Sequence, residues 1–541
     1  MPYLRWIIIG ALLAVGCFTP LIGDRWLRRI EGLGARLARR KVWTLVAVAL
    51  LAIVSRLALF LVMPLPKPAT HDEFSYLLAA DTFVHGRLAN PPHPMWIFFD
   101  TFHVLQHPTY ASMYPPAQGG VLALGQLLGH PWIGVLFSMA LMCASITWML
   151  QGWFPPQWAL LGGTLALLRI HLFTYWLESY WGGAVPAIGG ALVIGAFPRI
   201  VKRQRPRDAV LMGIGAGLLA NSRPFEGLLF CIPVGIALII WLLSDRSPAF
   251  RSTGLRVLLP LLCVSTLTLV FIGYYNRRVT GDAFLLPHVL DDRLHETIPL
   301  FVWQSYSPRV YANAQFDGFY NVWVVGKYHQ PFVRLCWNKF RDWWVFFLGS
   351  FLAIPLVTLP WVLRDRRTRL PLVLFVWCGL GLFAVVYFEA HYAAPMAAAF
   401  FILLVQAMRH LRRWEVRGRP VGIFLTRLVV VLAIARVGML AVGAYRHPLQ
   451  DWSIYRARIV RQLEATPGKQ LVIVRYAPDH NVHDEWVYNG ADIDGGKVVW
   501  ARDVPGRDLK PLLEYFRARR AWVVEADASS PKLEEYQGTT P

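Results

Sequence analysis

Eleven apolar runs, each long enough to cross a bilayer, leave this chain little choice of architecture. They fall near 4–23, 43–63, 131–150, 157–176, 184–200, 226–243, 257–275, 343–363, 370–388, 392–409 and 421–443. A membrane-spanning helix needs roughly 17 to 25 such residues. A shorter glycine-rich run at 209–222 brings the expected number of spans to twelve. The composition agrees: 56% of the 541 residues are hydrophobic and 14% aromatic. No ordinary soluble domain of this size has such a composition. The fold class expected is a polytopic α-helical membrane protein.

A net charge of +21 raises nucleic acid as a partner, but the placement of the charges excludes it. Twenty-four Lys and Arg residues sit in five short segments, 24–41, 199–208, 245–256, 364–369 and 409–419, whereas 177–183, 221–226 and 389–391 carry only Arg223. Basic loops stay in the cytoplasm, so the five segments are assigned there. Parity then requires that 117–129 lies at the interface or re-enters without crossing. The basic stretch after the first apolar run opposes export, so that run is expected to remain as a span and not to be cleaved. Both termini, the loops 65–130 and 276–342, and the tail from Arg446 thus face the exterior, in a multi-pass cell (inner) membrane with a periplasmic or external active face. The expected domains are 1–42 (first span and basic loop), 43–444 (membrane domain) and 445–541 (external α/β domain). Cys17, Cys143, Cys231, Cys263 and Cys378 lie within spans, Cys336 is alone in the second loop and the tail has none. No disulfide framework is available, and the tail must build its own core.

The unusual polar residues gather at the external ends, where charge near the membrane is costly and commonly functional. Asp72 and Glu73 open a helix ending at Gly86. Thr70 and Glu73 have capping-box spacing, so Glu73 divides between a cap and a catalytic carboxylate. Asp72 has no such duty, and Tyr76 falls one turn later on its face. Glu178, Tyr180 and Trp181 come from "LESYWGG", Arg223 and Glu226 from "NSRPFE", and Glu389, His391 and Tyr392 from "FEAHYAAP". All are candidate substrate contacts, with Trp96 a further aromatic. Arg223 suits a phosphate because guanidinium binds it through two parallel hydrogen bonds; a salt bridge to Glu226 or Glu178 is the structural alternative. "MYPPAQGG" reads as structural, with Pro116 starting a helix. His71, His85, His93, His103 and His107 have spacings that match no standard metal site, so no metal is assigned and a divalent ion stays open.

In the tail, 470–476, 497–503 and 521–527 read as strands and 449–465 and 507–520 as helices. Asp492-Ile493-Asp494 imitates a sugar-nucleotide motif, but Gly495-Gly496 after it reads as a turn.

The order Asp72-Glu73-Phe74-Ser75-Tyr76-Leu77-Leu78-Ala79-Ala80, then His85-Gly86, resembles the first external loop of GT-C glycosyltransferases. It is most similar to the family 39 branch, with its protein mannosyltransferases and aminoarabinose transferases. The resemblance covers about 43–410 and not the tail. It implies a glycosyltransferase, for a hexose or pentose, that takes the sugar from a polyprenyl-phosphate donor to an external lipid, glycan or protein, with inversion. It also implies a general base, for which Asp72 and then Glu73 are the candidates. The donor phosphate needs a cation, for which Arg223, Lys327, Arg309 and Arg334 are candidates. Relatives often carry a lysine beside the Pro-Pro that follows the first loop; here Met113 and Tyr114 stand there. A secondary transporter or a lipid-binding scaffold is the competing class, but transporters bind at the midplane between repeated halves, and no repeat is seen.

Overall fold

The computed structural model describes residues 14–16, 18–244, 253–298, 300–311, 313–447 and 451–537. Among them, seven helices are long and apolar enough to cross a membrane: Lys41–Ala58, Pro131–Trp153, Ala184–Arg203, Pro224–Leu242, Gly254–Thr280, Arg366–Ala384 and Val421–Arg446. The protein is a multi-pass membrane protein.

The other apolar runs are built differently. Most of 4–23 lies outside the described residues. The run at 209–222 forms Pro206–Ala220 and that at 392–409 forms Ala397–Arg412. The run 157–176 becomes helix Pro156–Ala166, a π turn at Leu167–His171 and then irregular chain. The run 343–363 is broken after the π turn Trp344–Leu348 by Gly349, whose φ of +61° suits a residue without Cβ. Irregular backbone at membrane depth needs protein, not lipid, around it. Leu167, Ile170, Phe347 and Leu348 are accordingly buried in the main core. Pro116–Leu127 has 12 residues, about 18 Å of helix, short of the ~30 Å hydrocarbon core.

The expected segregation of charge has a structural counterpart. Arg412 and Arg427 each pair with Glu31, and Arg427 also with Asp24, while His410 lies 3.6 Å from Asp365. The segments 24–41, 364–369 and 409–419 therefore meet at one end. Asp24–Arg39, read as a basic loop, is a helix.

At the other end the tail forms a four-stranded sheet in the order Val498–Arg502, Gln470–Arg475, Arg520–Glu525, Glu534–Glu535; the first three strands are parallel. One face closes on helix Trp452–Ala465 through Ile459, Leu463, Val472 and Val474. The other shares a core with the first external loop, where Phe74 and Leu78 meet Tyr488 and Ile493. The tail thus packs one face on itself and one on the helix that carries Asp72.

Candidate active site

Helix His71–Val84 begins at Thr70, whose extended backbone (φ −129°, ψ 153°) is that of an N-cap. The capping box is only half made. The Thr70 hydroxyl is buried without a partner, while Glu73 Oε2 accepts from the Ala69 amide at 2.7 Å, one residue before the expected donor. Gly86 ends the segment at φ +70°.

Asp72 is half-buried in the first turn, and its Oδ1 accepts the hydroxyl proton of Tyr114. Tyr114 is held in turn: Tyr76 stacks on it at 4.3 Å, its amide donates to Ser112 Oγ at 3.2 Å and its carbonyl accepts from Tyr275. Glu73 points inward, and burial pushes its carboxyl up to about 8. One carboxylate is therefore half-buried and held by a tyrosine, and the next is a buried acid, a division that neighbouring environments commonly impose.

Arg223 caps helix Pro224–Leu242. Its guanidinium lies 4.1 Å from the Tyr392 ring centroid, a cation–π contact. Its field reaches Tyr76, Tyr114 and Glu226. Neither Glu226 nor Glu178 is bonded to it: Glu178 is gripped through both oxygens by Arg56, at 2.7 and 2.8 Å. Glu226 instead lines a small apolar crevice with Tyr392 and Met396.

The Tyr175 hydroxyl accepts from the His391 amide and lies 2.9 Å from Nδ1 of the same residue. The Nε2 atom of His391 is buried with no protein partner among the described residues. Trp181 and Tyr392 flank the ring at 4.7 and 4.9 Å. Burial, reinforced by Arg223, keeps the imidazole well below its usual range and therefore neutral. Burial pushes Glu389 up, opposed by Lys327, and pushes Lys327 down, opposed by Glu389. Lys327 Nζ sits 3.8 Å over Trp323.

The sequence candidates thus divide. Asp72, Tyr76, Arg223, Glu226, Glu389, His391, Tyr392, Trp181 and Lys327 come together. Tyr180 is spent on the chain beside them, donating to the Pro66 carbonyl. Arg309 donates to the carbonyls of Glu296 and Leu294, Arg334 is exposed on helix Phe332–Trp343, and Trp96 packs on His107. Sequence reasoning missed three groups. Tyr114 falls in "MYPPAQGG", which the sequence marks only as structural, although its place beside the prolines is the available signal. Tyr175 lies inside an apolar run. His483 comes from the tail, with no periodicity to mark it, and packs between His71 (5.7 Å) and Trp323 (4.5 Å).

The residues present do not fit a metal: among the described residues no three His, Cys, Asp or Glu side chains gather to hold one. Three of the five loop histidines have other partners, His71 the Val482 carbonyl (2.8 Å), His85 the Asp81 carbonyl (2.7 Å) and His93 the Asp494 carboxylate (3.1 Å), while Nδ1 of His103 is buried without one. Asp492 accepts from the Gly495 amide, the turn expected there.

No family model and no curated protein matches the chain. Among solved structures, the oligosaccharyltransferase of Archaeoglobus fulgidus, tethered with an acceptor peptide containing the NVT sequon, aligns over 90% of this chain and 69% of its own. The TM-score is 0.50 and the sequence identity 12%. ArnT from Cupriavidus metallidurans bound to undecaprenyl phosphate aligns over 90% and 92%, with TM-score 0.48 and 16% identity. At such identities likeness speaks of architecture alone: the chain shares the fold of that oligosaccharyltransferase, an architecture of many membrane helices with an external domain.

Proposed function

We propose that the protein is a membrane glycosyltransferase that moves a sugar from a polyprenyl-phosphate donor to an acceptor hydroxyl on the extracytoplasmic face. The carrying observation is the pairing of a half-buried carboxylate, Asp72, with a guanidinium, Arg223, that has no carboxylate within ion-pair distance among the described residues. Both border the same aromatic cluster of Tyr76, Tyr114 and Tyr392.

The chemistry assigns the roles. A neutral hydroxyl is a poor nucleophile, so Asp72 takes its proton as the oxygen attacks the anomeric carbon. Attack from the face opposite the phosphate inverts that carbon. The bond from carbon to phosphate oxygen breaks, and the electron pair leaves on the carrier phosphate, whose growing charge Arg223 and Lys327 stabilise. Tyr114 donates to Asp72 and fixes its orientation; Trp181 and Tyr392 supply faces for the sugar, and the unpartnered Nε2 of His391 a polar contact. Glu73, buried and protonated, positions the chain entering the helix. The fold, with a separate external face and wide apolar surfaces, is consistent with a lipid-linked donor.

Arg223 gives the direct test, in nanodiscs with a polyprenyl-phosphate hexose. Arg223→Lys keeps the charge but loses the planar fork, so donor use should weaken while melting stays near wild type. Arg223→Ala with undiminished donor affinity would move the phosphate to Lys327 and remove the carrying observation.

A further inference from the structure

A chamber of about 390 Å³ opens next to this site, bordered by Tyr175 and Glu389 on one side and by Arg169 and Arg436 on the other. Its two arginines have no part in the reaction described above. Arg436 lies on helix Val421–Arg446, nine residues beyond Arg427 and ten before the helix ends. At 1.5 Å per residue that is about 14 Å in from the charged end, near mid-membrane. Arg169 lies in the π turn after Pro156–Ala166 and is buried.

Neither charge is matched. Arg169 donates Nε to the Phe347 carbonyl (3.3 Å) and Nη2 to that of Val345, and Arg436 donates Nη1 to the Leu168 carbonyl (3.1 Å). Nη1 of Arg169 and Nε and Nη2 of Arg436 have no acceptor among the described residues. The charge that acts on Arg169 is Arg436 itself, which repels it. Asp342, on the chamber wall, is engaged by Arg341 at 2.9 Å. Two unpaired guanidiniums at this depth are costly and form a receptor for a dianion. The chamber reaches the protein surface at Val345, which lines it and is 63% exposed.

We propose that this chamber binds a phosphate monoester carried on a lipid, namely the discharged polyprenyl carrier; the assignment rests on the transfer reaction proposed above. In that reaction the donor is a diester with one charge. Cleavage of the bond from sugar to oxygen turns it into a monoester with a charge of about −1.5 to −2 at neutral pH. Two forked guanidiniums match that charge and its extra oxygen better than they match the diester. The carrier would thus be drawn from Arg223 toward the lipid once its sugar is gone, and product release would have its own residues.

The test uses the full chain in nanodiscs with three probes: undecaprenyl phosphate, an undecaprenyl-phosphate hexose and inorganic phosphate. Arg436→Gln should weaken undecaprenyl phosphate at least tenfold and leave the hexose donor within twofold. Arg436→Lys should fall between Gln and wild type. Arg169 is not the residue to change, because its guanidinium also holds two backbone carbonyls. Since Arg436 is uncompensated in the empty protein, Arg436→Gln should melt no lower than wild type, and undecaprenyl phosphate should raise the melting temperature of wild type alone. Equal monoester affinity in Arg436→Gln and wild type, or equal loss of monoester and donor, would overturn the proposal while leaving the transferase reading intact. Inorganic phosphate competing as well as the lipid would overturn the lipid source. A wild-type protein that neither binds nor uses the donor would remove the transferase reading first and this site with it.

Discussion

Asp72 and Glu73 are adjacent in sequence and opposite in surroundings, which makes them separable by experiment. Asp72→Asn keeps the shape and removes the base. Loss of a general base typically costs about a hundredfold to ten-thousandfold, so turnover should fall by at least the lower bound with donor binding and melting near wild type. Normal turnover, or an unfolded protein, would take the role from Asp72. Glu73 acts instead on stability. Its folded carboxyl titrates near 8, against 4.5 for the exposed group, chiefly through burial. Between those values the unfolded chain has lost the proton and the folded chain still holds it, so stability declines as pH rises from about 4.5 to 8 and levels off above. Glu73→Gln, which cannot ionise, should remove that part of the slope and melt higher than wild type at pH 8.5. A difference between the two that does not change from pH 4.5 to 8.5 would mean that Glu73 is ionised in the fold. The sequence pointed to Asp72 because a first-turn carboxylate after an apolar run is visible in one dimension. The pairing of Glu178 with Arg56 was not, since Arg56 lies 122 positions away within a helix that reads as apolar.

At the scale of elements, the tail's strands were legible because short β-branched apolar runs bounded by turn residues are local signals: 470–476, 497–503 and 521–527 became Gln470–Arg475, Val498–Arg502 and Arg520–Glu525. The break at Gly349 was not, because hydropathy averages over a window and one residue at positive φ leaves the average unchanged. Nor could the sequence show that the tail sheet completes its packing on helix His71–Val84. There Phe74 stacks on Tyr488 at 4.3 Å with planes 3° apart, Asp81 accepts from the Ala491 amide (2.7 Å) and the Tyr110 hydroxyl donates to the Asn489 carbonyl (3.0 Å). Phe74→Ala should cost roughly 3–5 kcal/mol by analogy with other buried aromatic truncations. The consequence should be functional as well, because the same helix holds Asp72. Limited proteolysis should then release the tail faster than from wild type, and turnover should fall although no reacting group has changed. Faster cleavage with full turnover would show that the tail is dispensable to the site.

The whole molecule sorts its charges by end, and from this we propose which way it sits. Glu31, Asp24, Arg412 and Arg427 form one cluster with Asp365 and His410 nearby, and the free basic residues around them belong in the cytoplasm. Asp72, Arg223, Glu389 and the tail lie at the opposite end, so the transfer proposed here takes place outside. The proposed orientation rests on counting Lys and Arg in short loops, which needs no knowledge of packing. Helix Pro116–Leu127 is the test of that count, since a crossing there would reverse every later loop. A reporter joined after Lys202, at the end of helix Ala184–Arg203, should register cytoplasm, and one joined after Arg446 should register the exterior. The two sites lie on opposite sides only if the path between them crosses an odd number of times. Cytoplasmic signal at Arg446 would bring the tail, and with it the helix of Asp72 on which it packs, to the wrong face for an external acceptor. Exterior signal at Lys202 would mean that Pro116–Leu127 or a neighbour crosses after all. The first result would reverse the placement of Asp72 and Arg223 together, because Tyr76, Tyr114 and Tyr392 hold them at one end of the molecule, and the second would put them on opposite faces.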